Sequence, residues 1–248
     1  MRILLFDLET SPLLGYAYGI YEQNIIKVVR EPHLMSFAYK WYGEKKIHCH
    51  ALPDYPLYKK EPYNDRELVK DLHALLDKAD IVIAHNGNSF DIKVSSSRFI
   101  INKLDPISNY ITIDTLREAR KRFKFSSNKL TDLAMYAGVG SKIENKKDLW
   151  FNCLIGDMKS WGQMKKYNTH DVYLLEGIYE WMKPWIKHPN LNILNGTVAS
   201  CPKCLSTKII HYGKRYSTSG IYQRYKCKMC GNDILGRENL LEKRPIVK

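Results

Sequence analysis

The chain is 248 residues long, 44% hydrophobic and strongly basic, with a formal net charge of +13 and a pI near 9.3. That length supports a sizeable core plus a smaller module, and the charge points to polyanionic partners. No apolar run is long enough to span a bilayer, and only six cysteines are present, too few for a disulfide-dense secreted scaffold.

Arg2 to Glu9 is an apolar run interrupted by Asp7 and Glu9, and reads as a buried strand. Side chains alternate along a strand, so these two acids share a face. Such a pair either projects into solvent or faces a cation, and hard oxygen ligands suit Mg²⁺ or Mn²⁺. Met1 to Phe6 is too short for a signal peptide, so an intracellular, cytoplasmic protein is expected. Leu13 to His50 is rich in aromatic and β-branched residues, and a second and third strand are expected there, after an excursion around Gly15 to Gln23. Ala51 to Asn64 carries three prolines and reads as a long loop.

Leu68, Leu72, Leu75 and Leu76 recur at helical spacing and predict a helix over 65–79. Ile81-Val82-Ile83-Ala84 reads as a central strand. His85 to Ser89 is a turn, and Phe90-Asp91 opens a helix. Asp91 then lies beside the carboxyl end of that strand, where open α/β sheets place ligand sites; helix capping by Asp91 or Ser89 is compatible with that role. Ile111 to Thr115 reads as a strand leading into a helix over 115–123, with Asp114 as its cap in preference to a metal ligand. Arg117, Arg120, Lys121 and Lys124 share a face, either solvated or guiding a phosphate backbone. Leu130 to Tyr136 is a further helix, closed by Gly138 and Gly140.

A helix is predicted from about Gly162 to Met182, with Val172, Leu175, Ile178 and Met182 as its apolar stripe. Tyr167 and Asp171 are four apart and share one face. His170 points about 100° away from Asp171 and reads as a bystander. Lys183 to Asn195, with two prolines, leads to a linker over 188–199.

At this point the chain resembles the DEDD 3′–5′ exonucleases of the ribonuclease H-like superfamily, which include polymerase proofreading domains. D-x-E matches Asp7 and Glu9, N-x₃-F-D matches Asn86 to Asp91, and Y-x₃-D matches Tyr167 to Asp171. One subgroup carries a histidine five residues before the last acid. Lys166 stands there, so the chain resembles the tyrosine subgroup (DEDDy). The resemblance covers residues 1–187 and implies an α/β fold with a mixed sheet flanked by helices. It implies two divalent ions held by Asp7, Glu9, Asp91 and Asp171, with Tyr167 orienting the attacking water. It implies Thr10 and Asn86 as candidates for ordering the site or the terminal nucleotide. It also implies single-stranded or frayed 3′ ends as substrate, DNA ahead of RNA, and a separate polymerase or other replication or repair protein as partner. An endonuclease of the same superfamily and a silent binding module are the alternatives.

Cys201-Pro202-Lys203-Cys204 and Cys227-Lys228-Met229-Cys230 form two C-x-x-C hooks 22 residues apart. That spacing suits one structural Zn²⁺ with four thiolate ligands. The segment 200–237 resembles a zinc ribbon, a small β-rich module, followed by a tail over 238–248. The combination resembles phage and bacterial versions of such enzymes. Cys49 and Cys153 read as ordinary thiols. From Cys201 to Arg237 eight Lys/Arg stand against one acid. Lys214, Arg215, Tyr222 and Arg224 are candidates for nucleic-acid contact, with protein docking as the competing role.

Overall fold

Residues 1–21, 24–143, 148–187 and 199–241 are described by the computed structural model. The first strand, β1 (Ile3–Thr10), forms where the apolar run predicts it. Leu4, Phe6 and Leu8 enter one hydrophobic core, and the alternate residues Asp7 and Glu9 face the other way. The excursion that follows is a small antiparallel ladder, β2 (Leu14–Tyr16) with β3 (Lys27–Arg30). The second and third sheet strands are β4 (Leu34–Trp41) and β5 (His48–Ala51). The proline-rich loop contains two 3-10 turns, Leu52–Asp54 and Pro56–Lys59.

Helix α1 (Arg66–Leu76) is shorter than its leucine spacing predicts. Leu68, Val69, Leu72, Leu75 and Leu76 are buried, each removal from water contributing about 1.5–3 kcal/mol. Then come β6 (Ile81–Ala84), α2 (Asp91–Ile101), β7 (Ile111–Asp114), α3 (Thr115–Arg122), α4 (Leu130–Tyr136), α5 (Leu149–Leu154) and α6 (Met158–Met182). Sequence periodicity does not single out α5. Helix α6 starts four residues before Gly162 because Asp157 accepts the backbone N–H of Lys159 and Ser160, each at 3.1 Å. Helix α3 stops at Arg122, with Phe123 in an extended conformation, so Lys124 does not share the helical face of Arg117 and Lys121.

The five-stranded sheet has the order β5-β4-β1-β6-β7. β1 pairs antiparallel with β4 and parallel with β6, which makes the sheet mixed. The carboxyl ends of β1, β6 and β7 therefore lie at one edge, and the turns leaving them carry the candidate site. The turn after β6 is tightly specified. Asn86 takes a left-handed backbone (φ 67°), and a Cβ on Gly87 would come within 2.5 Å of the Ala84 Cβ. Asp114 caps α3 by accepting the Arg117 N–H at 3.1 Å, as expected. It also accepts the N–H groups of Asn86 at 3.0 Å and Asn88 at 3.1 Å, and so bolts that turn to α3.

The chain divides into two units, Arg2–Ile178 and Tyr179–Lys248 with Met1, and α6 runs from the first into the second. The second unit holds an antiparallel three-stranded sheet of β8 (Ile209–Ser217), β9 (Gly220–Cys227) and β10 (Asp233–Asn239), in the order β10-β9-β8. Lys203, inside the first cysteine hook, donates to the carbonyls of Lys183, Pro184 and Ile186 at 2.8, 2.8 and 2.9 Å. These acceptors lie just beyond the end of α6, where helix termini leave carbonyls unpaired. Residues 188–198 of the expected linker and 242–248 of the expected tail lie outside the described residues. No helix among the described residues is long and apolar enough to cross a membrane.

Asp114→Ala removes an acceptor shared by three backbone donors. A loss of about 2–4 kcal/mol in unfolding free energy is expected, measured by urea denaturation. A change under about 0.5 kcal/mol would mean the turn does not depend on this brace.

Candidate active site

Asp7 and Glu9 reach the pocket from β1, Asp91 from the first turn of α2, and Tyr167 and Asp171 from one face of α6. Carboxylate oxygens of Asp7, Glu9 and Asp171 lie within 4.8 Å of one another. Asp91 is 2% exposed and accepts the Leu8 N–H at 3.2 Å, which holds its carboxylate against β1 at the residue between Asp7 and Glu9 in the chain. A bulge between Glu9 and Thr10 ends the regular alternation where the site begins.

Acids this close, shielded from water, resist ionisation. Burial, then the charges of Asp91, Glu9 and Asp171, hold the Asp7 carboxyl well above the usual range. Burial, then Asp171, pushes Glu9 up to about 7. Burial also takes Asp91 to about 7 against its hydrogen bonds from backbone N–H groups. Asp171 is raised by burial, with Lys142 opposing.

Three residues that the sequence reading missed complete the pocket. Lys142 places its ammonium 2.6 Å from Asp171 Oδ2 and donates to the Tyr167 hydroxyl at 2.5 Å. Burial works against the Lys142 charge, but the Asp171 carboxylate outweighs it and holds the ammonium above its ordinary range. Asn168, fully buried, donates to Asp7 Oδ2 at 2.6 Å and accepts from the Ser36 hydroxyl at 3.1 Å. Trp150 donates its indole N–H to Glu9 Oε2 at 3.2 Å and packs edge-on against Tyr167, ring centroids 5.8 Å apart. Asn168 had a local signal, standing three residues before Asp171 on the same helical face. Lys142 and Trp150 had none. His170 is turned away from the acids, as its helical position predicts, and contacts the Ser141 carbonyl at 2.8 Å.

The donor set fits a hard divalent cation. Three carboxylates converge, and Asp171 Oδ1 is buried without a hydrogen-bond partner. Tyr167 is pushed up to about 12, by burial and then by Asp171, so its hydroxyl stays protonated at neutral pH.

Asn86, Arg117 and Lys121 share a cleft of about 530 Å³ that also takes in Asn88, Ser89, Asp114, Leu116 and Arg120. Thr10 is the last residue of β1, paired with Leu34. In the second unit the four cysteine sulfurs also lie within 4.8 Å of one another, with Cys201–Cys230 and Cys204–Cys227 each 3.6 Å apart, as free thiols. Zn–S bonds of about 2.3 Å around a tetrahedral ion give sulfur–sulfur edges of about 3.8 Å, so the spacing fits zinc. Leu205 and Gly231, the residues after each hook, both take a left-handed backbone (φ 61° and 71°), which makes the hooks twin turns. Burial pushes Cys49 and Cys153 up to about 12, in keeping with inert thiols. Of the ribbon candidates, Arg215, Tyr222 and Arg224 share one sheet face, and Lys214, opposite Gln223, lies on the other.

Residues 4–183 match the family model of the RNase H superfamily. The chain belongs to that superfamily. Among solved structures it is similar to the family B DNA polymerase of the hyperthermophilic archaeon Pyrobaculum calidifontis, with 15% identity and a TM-score of 0.53. The match covers 74% of this chain and 24% of the polymerase chain. At that identity the likeness establishes shared fold. No curated protein matches the sequence.

The acid cluster makes a signed prediction. The unfolded carboxyls titrate near 4 and the folded Glu9 and Asp91 near 7, so the native state holds more protons between these values. These groups therefore cost the metal-free protein stability as pH rises from about 4 to about 7, and the cost persists above that. Asp7→Asn removes one repelling charge and should raise the melting temperature at pH 8 by roughly 2–4 °C without added divalent metal. The gain should vanish near pH 4. Added Mn²⁺ should stabilise the wild-type chain at pH 8 but not the variant. A lower melting temperature for Asp7→Asn at pH 8 would show that the acids do not strain the fold.

Proposed function

We propose that this superfamily member is a metal-dependent 3′–5′ exonuclease acting on single-stranded or frayed 3′ ends, DNA ahead of RNA. The observation that carries the reading is the convergence of Asp7, Glu9 and Asp171 within 4.8 Å, with Asp91 against β1 and Tyr167 one helical turn from Asp171. Asp7, Glu9, Asp91 and Asp171 would hold two Mg²⁺ or Mn²⁺. When bound there, divalent cations stabilise the attacking and leaving oxygens of an in-line displacement at phosphorus.

The protein's own groups orient and exclude. Tyr167 keeps its proton at neutral pH and so acts as a hydrogen-bonding guide for the water, not as a base. Lys142 aims that hydroxyl, fixing it from one side while it neutralises Asp171. Asn168 and Trp150 hold the carboxylates of Asp7 and Glu9 in single orientations. Thr10 and Asn86 would contact the terminal nucleotide. Arg117, Arg120 and Lys121, in one cleft with Asn86, would hold backbone phosphates of the same strand.

Cys201, Cys204, Cys227 and Cys230 would hold one structural Zn²⁺ whose loss unfolds the small module. The basic ribbon would bind the substrate or a separate polymerase or repair protein.

The test is cleavage of 5′-labelled single-stranded DNA and RNA with Mg²⁺ or Mn²⁺. A ladder shortening from the 3′ end is expected, abolished in Asp7→Ala. Lys142→Met should lower kcat by about 10²- to 10³-fold with KM changed less, the pattern of a group acting after substrate binds. Internal cuts would move the protein to the endonucleases. Intact substrate under every metal would overturn the enzyme reading.

A further inference from the structure

The β8–β9–β10 sheet has two unlike faces: eight of nine positions in β8 are exposed, and Tyr222 and Arg224 of the central strand β9 are half-buried. Register assigns the side chains. Arg215 stands opposite Tyr222, and Tyr222, Arg224 and Lys226 recur at every second position of β9, so all four share a face. Tyr212 joins them: its ring centroid is 5.2 Å from the Arg224 guanidinium carbon and 5.1 Å from the Lys226 ammonium. Asp233 anchors Arg224 on this side with a 2.6 Å ion pair. The opposite face carries His211 against Tyr225, ring centroids 4.8 Å apart, with Lys214 and Tyr216. The bulge at Gly213 (φ 90°) falls between His211 and Lys214 and shifts the alternation of β8 by one residue, so that Lys214 shares the face of His211, three positions before it, and Arg215 takes the other face.

We propose that the face bearing Tyr212, Arg215, Tyr222, Arg224 and Lys226 binds single-stranded nucleic acid, with the opposite face taking no part. Register also puts Ile210 and Leu235 on this face, opposite Lys226 and Arg224, but the cations Arg215, Arg224 and Lys226, with Asp233 as their paired acid, suit a phosphate backbone. The tyrosine rings select a single strand, because a ring stacks on a base only when that base is free of its duplex neighbours. The guanidinium of Arg224, held between Asp233 and Tyr212, offers a fixed cation for one phosphate. The surface lies wholly within the C-terminal unit. The inference rests on the nuclease reading only for its choice of ligand.

The test uses the full chain carrying Asp7→Asn, without added divalent metal, and a fluorescein-labelled oligothymidylate followed by anisotropy. Tyr212→Ser, Arg215→Ser and Lys226→Ser combined should weaken binding at least about tenfold. The slope of log affinity against log salt should flatten by about 1.4, for two cations removed. Lys214→Ser with Tyr216→Ser, on the opposite face of the same sheet, should change affinity by less than about twofold. The single exposed change Arg215→Glu should lower affinity alone, and it keeps the test alive if the triple variant loses its cysteine-bound zinc. Equal losses from both faces, an unchanged triple variant, or tighter binding of a duplex of the same length would each overturn the proposal. A wild-type chain that binds through this face yet cleaves nothing with Mg²⁺ would sink the exonuclease reading and leave this one standing.

Discussion

The organising constraint in this protein is the mutual repulsion of Asp7, Glu9, Asp91 and Asp171, held close together and largely out of water. Two come from one strand, one from the start of a helix and one from the middle of another, so the fold brings together charges that would separate if free. Burial drives each carboxyl toward its neutral form, and the neighbouring charges add to the effect on Asp7 and Glu9. The surrounding structure works against that separation. Asn168 ties Asp7 to α6, Trp150 ties Glu9 to α5, the Leu8 N–H holds Asp91, and Lys142 lays a positive charge against Asp171. A site arranged in this way is poised for cations, because the strain stored in the acids is released when positive charge enters.

The scaffold explains how that strain is contained. β1 is the central strand of the mixed sheet, paired with β6 over Ile3–Leu5 and with β4 along the stretch that carries its acids, so they cannot retreat without breaking the β4 ladder. The turn after β6 is pinned from three directions: a left-handed Asn86, a glycine packed onto Ala84, and the Asp114 carboxylate gathering its N–H groups. That turn sets where Asp91 enters α2. The second unit begins within the last turn of α6, and Lys203 gathers carbonyls just past that helix end into the first cysteine hook.

Much of this was legible in the chain because it depends on short-range periodicity. A period of two puts Asp7 and Glu9 on one face of β1, and a spacing of four puts Tyr167 and Asp171 on one face of α6. The leucine pattern of α1, the turn residues after β6 and the cap at Asp114 are equally local. Ends were less legible: α6 begins at a cap four residues upstream of Gly162, and α3 ends before Lys124, since termini depend on individual hydrogen bonds and not on a repeating pattern.

By itself the sequence determined which residues carry charge or sulfur and which of their near neighbours share a face, because strand and helix geometry convert spacing directly into direction. Only the tertiary structure decided what meets across the pocket. Asn168 reaches an acid 161 residues away, and Trp150 one 141 residues away. Lys142 comes from the irregular segment after α4, which has no distinguishing pattern. The same holds in the three-stranded sheet, where the bulge at Gly213 shifts the alternation of β8 and so decides which of its later residues share the face of Arg224 and Lys226. Contacts between distant segments are fixed by how the sheet and helices close around a core, and no local period encodes that closure.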